Sequence, residues 1–162
     1  MGMDVYGLAP KSPAGEYFRN NVWWWRPLWD YCEELAPELL AKVDGHTNSG
    51  DGLKTAKEAE MLGRILLVEL NSGNTKAYRQ KRDKELEALP KLKCDLCDGV
   101  GIVQVKEGWS DYVEGEVKFR DPCNKCDGKR EVDDWATNYP FNESNVQEFA
   151  EFLLNCGGFE IC

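Results

Sequence analysis

A chain of 162 residues that is 42% apolar, with six tryptophans and a net charge of −9, has the material for one folded domain with a real core and is short for two. Its longest apolar stretches, such as Val22–Trp25 and Ile65–Val68, are four residues, so no segment suits a membrane span, and the composition argues against a disordered chain. The acidic balance works against sequence-independent binding of nucleic acid, whose affinity comes largely from phosphate neutralisation.

The first 20 residues, with Gly7, Pro10, Pro13 and Gly15, read as an extended arm or loop. They show no basic-then-apolar leader pattern, and Tyr6 stands where a myristoylation motif needs Ser or Thr. Asn20 and Asn21 are capping residues, and Pro27 suits a first helical position. From Leu28 the apolar residues Leu28, Cys32, Leu35 and Leu39 step at helical spacing, widened by Ala36, Leu40 and Val43. Pro37 interrupts the stripe and predicts a kink or two short helices. The polar loop Asp44–Gly52 follows. A second helix is expected over Leu53–Leu70, with Leu53, Ala56, Ala59, Leu62, Leu66 and Leu70 inward, closed by Asn71-Ser72-Gly73. Asn74-Thr75 opens a third helix that stops before Pro90. Its few apolar anchors are Tyr78, Leu86 and Leu89, and its charges suit a solvated surface laced by i,i+4 pairs. Gly101–Lys106 and Glu116–Arg120 alternate as strands do and should pair across the loop Glu107–Gly115. Last, Ser144-x-x-Gln147 reads as a capping box ahead of a stripe of Val146, Phe149, Ala150, Leu153 and Leu154. Gly157-Gly158 ends that helix, and Phe159–Cys162 is expected to dock as a short strand.

The strongest chemical signal is two matched pairs, Cys94-x2-Cys97 and Cys123-x2-Cys126, with 25 residues between them. Two thiolates three positions apart on a tight turn face one ion, and two such turns supply the four soft ligands of tetrahedral zinc. Gly99 and Gly128 follow the second cysteine of each pair by two positions. Glycine there permits the positive φ that points backbone N–H groups at sulfur. One redox dithiol would account for only one of the pairs. Cys94, Cys97, Cys123 and Cys126 are therefore expected to hold one structural Zn2+. Cys32 and Cys156 fall on helices as small apolar residues, and Cys162 is not expected among the ligands. Seven cysteines without a leader point to a reducing compartment, the cytoplasm.

These knuckles resemble the CxxCxGxG repeats of the cysteine-rich domain of DnaJ-type co-chaperones. Cys94, Cys97, Gly99 and Gly101 match one repeat. Cys123, Cys126 and Gly128 match a second, with Arg130 where the last glycine should be. The resemblance covers about 40 residues and implies the metal and a local hairpin. His46 is followed by Thr47, so the His-Pro-Asp signature of a J domain is absent and the chaperone function is not implied.

Three readings of function stand side by side. The first is a binding module that presents a zinc-stapled hairpin to a protein partner, with Trp109, Tyr112, Arg120, Lys129 and Arg130 as contact residues. Aromatic and arginine side chains are favoured interface anchors, whereas Trp23, Trp24 and Trp25 cannot all face one way and belong partly to the core. The second is an enzyme built on the loop Asp44–Gly52, in which His46 with Asp44 or Asp51 is a general base and Cys32 a nucleophile. No P-loop, GxSxG or HExxH accompanies it, and such loops are ordinary helix connectors. The third is nucleic-acid binding through Lys76, Arg79, Lys81, Arg82, Arg120, Lys129 and Arg130. Against it, residues 91–131 carry eight basic and nine acidic residues.

The stretches Gly15–Leu28 and Gly157–Cys162 resemble those of small proteins encoded by phages and some bacteria. That resemblance implies an accessory protein acting on a host factor, such as an inhibitor of a defence system. The expectation is therefore an α+β, mainly helical single domain, residues 1–162, with an inserted zinc-stapled β-hairpin at 91–131. It works in the cytoplasm by binding rather than catalysis.

Overall fold

The computed structural model describes residues 2–106, 117–120 and 122–162. The elements are β1 (Gly2–Gly7), β2 (Tyr17–Asn21), α1 (Val22–Leu35), α2 (Pro37–Leu40), α3 (Ala56–Ser72), α4 (Asn74–Glu87), β3 (Leu92–Lys93), β4 (Val103–Lys106), β5 (Val117–Arg120), β6 (Glu131–Val132), α5 (Glu143–Asn155) and β7 (Phe159–Ile161). The fold is α+β and mainly helical. The chain divides into two compact units, Met1–Glu85 with Asn138–Cys162, and Leu86–Thr137.

The glycine- and proline-rich start is sheet rather than arm. β1 and β2 pair antiparallel from Gly2↔Asn21 to Tyr6↔Tyr17, and β7 pairs with the other edge of β1, Val5 opposite Ile161. Alternation sends Met3, Val5 and Phe18 into the core. Outward, Tyr6 and Tyr17 pack at 5.1 Å with tilted rings, and Asp4 accepts from the Tyr17 hydroxyl. The prolines confined to residues 10–13 mark the turn, not the strands.

Helix α1 begins five residues earlier than Pro27 suggests, because Asn21 ends β2 and caps in one step. Its side chain accepts from the backbone N–H groups of Trp23, at 3.0 Å, and Trp24, at 3.1 Å. Pro27 thus lies inside the helix. The expected break at Pro37 is present, since Ala36 adopts φ −137° and ψ 53°, as a residue before proline is driven out of the helical region. Helix α3 starts at Ala56, not Leu53. Thr55 caps it, accepting from Glu58 N–H at 3.2 Å and donating to the Glu58 carboxylate at 2.6 Å. The α5 cap is Asn142 rather than Ser144, and it accepts from both the N–H and the hydroxyl of Ser144 at 2.7 Å.

The larger unit is closed by aromatic rings. Phe149 lies 5.1 Å from Phe18, 5.5 Å edge-on from Trp25 and 6.2 Å from Phe159. Trp25 stacks on Trp29 at 5.5 Å, and both are fully buried, while Trp23 and Trp24 are half-buried. Helix α3 packs along α5, with Ala59, Leu62 and Leu66 inward. Helix α4 is less solvated than its charges imply. Thr75 is buried against the Tyr31 hydroxyl at 3.1 Å, and Tyr78 packs 4.5 Å from Tyr31 and 4.9 Å from Phe141. Arg82 donates to the Tyr139 carbonyl at 3.1 Å. One i,i+4 pair, Lys81 with Glu85 at 3.9 Å, lies on its outer face.

Truncating Phe149 to alanine should cost about 3–5 kcal/mol, read as a lower urea midpoint. Val68→Ser, on the exposed side of α3, should stay within about 0.5 kcal/mol.

Candidate metal centre

In the smaller unit each CxxC pair folds into a tight turn, and the two turns brace each other reciprocally. The Cys94 N–H donates to the Arg130 carbonyl at 2.9 Å, and the Cys123 N–H donates to the Gly101 carbonyl at 2.7 Å. The first cysteine of each knuckle is thus held by the last residue of the other. Within the knuckles, Val100 N–H reaches Cys97 O and Lys129 N–H reaches Cys126 O, both at 2.9 Å. Strands β3 and β6 pair beside the knuckles, Leu92 opposite Val132. Strands β4 and β5 pair from Val103↔Arg120 to Lys106↔Val117.

This bracing brings four sulfur atoms together. Cys94 and Cys123 are 4.0 Å apart and Cys97 and Cys126 3.7 Å apart, with all four Sγ atoms within 4.8 Å of one another. Four ligands about 2.3 Å from a tetrahedral ion would be separated by about 3.8 Å, and a disulfide would need about 2.05 Å. The cluster is buried, with Val103 and Val132 packed against it, and it can hold a metal ion such as zinc.

The backbone is bent to suit. Gly99 and Gly128 have φ of 74° and 76°, and Asp98 and Asp127 before them are also left-handed, at 51° and 49°. Gly101, at φ 93°, donates its N–H to Cys97 Sγ at 3.3 Å. Arg130, where the glycine of the repeat is missing, takes the same left-handed backbone at φ 71° and turns its N–H to Cys126. The departure changes a side chain and keeps the geometry, at the strain a non-glycine residue carries there.

Four crowded thiols cannot all ionise without a cation. Burial pushes the Cys97 thiol up, but the Gly101 N–H and the neighbouring sulfurs outweigh it and hold Cys97 at about 7. Burial and those same neighbours push Cys126 up to about 11. A divalent ion would draw all four toward thiolate.

The remaining residues picked out in the sequence lie elsewhere. Trp109 and Tyr112 fall outside the described residues, as do the loop Glu107–Gly115 and the side chain of Arg120. Lys129 and Arg130 are exposed on the second knuckle. In the loop after α2, Asp44 accepts from the Thr47 hydroxyl at 2.6 Å and from the His46 N–H at 3.1 Å, which hold its carboxyl below the usual range. Asp51 accepts from the N–H groups of Asp44 and Gly52, each at 2.8 Å, and is lowered likewise. Both carboxylates are engaged in shaping the loop. Cys32 is fully buried and its thiol pushed far up by desolvation. The His46 ring meets two carboxylates that the sequence reading did not single out, Glu33 at 3.4 Å and Asp30 at 3.9 Å. The available signal was their i,i+3 spacing on one helix, which the loop's own acids obscured.

Among the described residues no helix is long and apolar enough to cross a membrane. Comparisons with protein-family models, with curated proteins and with solved structures return no match.

Because Asp127 is exposed and left-handed, Asp127→Gly should preserve the smaller unit. Asp127→Ile should weaken it by about 1–2 kcal/mol, measured as the urea concentration that releases bound metal.

Proposed function

We propose that this protein is a zinc-stabilised protein-binding module, in which Cys94, Cys97, Cys123 and Cys126 hold one structural zinc ion. The observation that carries this reading is the buried four-sulfur cluster with tetrahedral spacings. Four cysteines leave no coordination position open for a substrate. The ion substitutes for a core, because among the described residues the apolar side chains packed on the cluster are Val103 and Val132.

A protein partner is supported by what the unit exposes. Leu92, Leu96 and Val100 stand out around the knuckles, and Trp135 is 62% exposed. The lysines that would favour nucleic acid are largely matched with acids: Lys91 with Asp133, Lys93 with Asp98, and Lys125 with Asp95. A surface of apolar side chains between neutralised charges fits a protein rather than a phosphate backbone. The stretches that resemble phage and bacterial proteins lie in the other unit and supply core residues, Phe18, Trp25, Leu28, Phe159 and Ile161. They bear on the scaffold, and a host protein is the partner class they suggest.

After dialysis against metal-free buffer the wild-type chain should retain one zinc ion. Cys97→Ser should retain close to none and lose the structure of residues 86–137, since structural zinc contributes on the order of 10–16 kcal/mol to such units. A Cys97→Ser chain that kept its zinc would refute the ligand set. On zinc-loaded protein, capture from lysate should yield a protein partner that survives nuclease and is lost with a Leu96→Asp/Val100→Asp double substitution that keeps its metal. Recovery of nucleic acid, or loss of the partner on nuclease treatment, would overturn the protein-binding part.

A further inference from the structure

His46 is the only histidine in the chain, and its ring is fixed over the exposed side of α1. Nε2 lies 3.4 Å from Glu33 Oε2 and 3.9 Å from Asp30 Oδ1, and one ligand atom from each of the three falls within 4.8 Å of the others. Two ligands each about 2.1 Å from a tetrahedral ion are separated by about 3.4 Å. The His46–Glu33 distance already has that value, and the Asp30 distance needs a small rotamer adjustment.

We propose that Asp30, Glu33 and His46 form a second, open metal site that takes one divalent ion of the zinc class, with water in the remaining coordination position. The proposal does not depend on the cysteine cluster.

The arrangement is built from outside the three side chains. Asp30 and Glu33 lie i,i+3 on α1 and so share one of its faces. The buried Trp29 donates its indole N–H to Glu33 Oε1 at 2.8 Å, which fixes the carboxylate and turns Oε2 toward His46. A carboxylate held by an outer hydrogen bond is the pattern that orients metal ligands. The loop is fixed by the neighbouring tryptophan as well. The Gly45 carbonyl accepts from the Trp25 indole N–H at 2.6 Å. Gly45 also sits so close to Trp29 that a Cβ there would be 1.8 Å from the ring. The residue before His46 is thus pressed onto two buried indoles, and His46 is delivered to α1 with its backbone N–H held by Asp44.

The donor set selects the ion. One imidazole nitrogen with two carboxylate oxygens suits zinc and its transition-metal neighbours, whereas calcium and magnesium favour all-oxygen sites. Three protein ligands with a free position is the arrangement of zinc that exchanges or activates a ligand, unlike the closed set of a structural site. Partial burial raises the Asp30 carboxyl, offset in part by His46, Arg82 and Arg26. Both arginines hydrogen-bond Tyr139. A divalent ion would supply Asp30 with a direct counter-charge.

The test reads the His46 imidazole resonances by NMR in the full-length chain while zinc is added. With a single histidine the signal needs no assignment, and the titration starts from protein whose cysteine cluster is already loaded with zinc. The expected result is a shift that saturates as a single site. An Asp30→Asn/Glu33→Gln double variant should weaken that binding more than tenfold, and magnesium should leave the wild-type resonances in place. The substituted side chains are on the helix surface, so far-ultraviolet circular dichroism should match wild type. Resonances that stay fixed up to millimolar zinc would overturn the proposal. So would an equal midpoint in the double variant, which would mark a lone imidazole picking up metal unaided.

Discussion

Phe149 is the tie on which the larger unit depends. A sheet of three short strands cannot hold together in water unless one face is covered, and α5 supplies the cover by placing Phe149 among rings from β2, α1 and β7. Trp25 and Trp29 extend the contact to the loop after α2 through the Gly45 carbonyl. Sheet, first helix, last helix and loop therefore share one cluster, and each restricts the rotamers of the others. In the triple-tryptophan stretch Trp25 joins this cluster, which is why the stretch yields one fully buried indole and two half-buried ones.

The smaller unit draws its stability from a different source. Its strands are two to four residues long, and the centre they surround is sulfur rather than hydrocarbon. The reciprocal bonds between Cys94 and Arg130 and between Cys123 and Gly101 make each knuckle the support of the other, so the two halves of the site form together. The two units thus differ in their sensitivity to conditions. Changes in the state of the four thiols act on one, and disruption of aromatic packing on the other.

How legible this was in the sequence depended on whether the signal was local. The CxxC turns, the glycines at positive φ, the break at Pro37 and the stripe of α5 are set by residues a few positions apart, and they appear where the spacing put them. The opening strands were hidden because Gly7, Pro10, Pro13 and Gly15 dominate the composition there, while the force that makes β1 a strand comes from residues 17–21 and 159–161. The start of α1 was misplaced for a related reason. A proline suited to a first turn drew attention, but Asn21 had already capped the helix as β2 ended. At the sites, the four cysteines were readable from spacing alone. The meeting of His46 with Asp30 and Glu33 was not, since it exists only because two tryptophans hold the loop against α1.

The pairing of Leu92 with Val132 and Lys93 with Glu131 has a consequence for how such a chain can change over generations. The segment between these strands leaves and returns at adjacent points, so to the rest of the polypeptide it counts as a short connection however much chain it contains. Loop-closure entropy grows only with the logarithm of length, and a paired stem removes most of even that dependence. Everything beyond the stem can be lengthened, exchanged for another tip or lost, while residues 5–7 and 159–161 still find each other. Tip and scaffold are therefore separable in sequence, and the tip is free to change while the scaffold is kept.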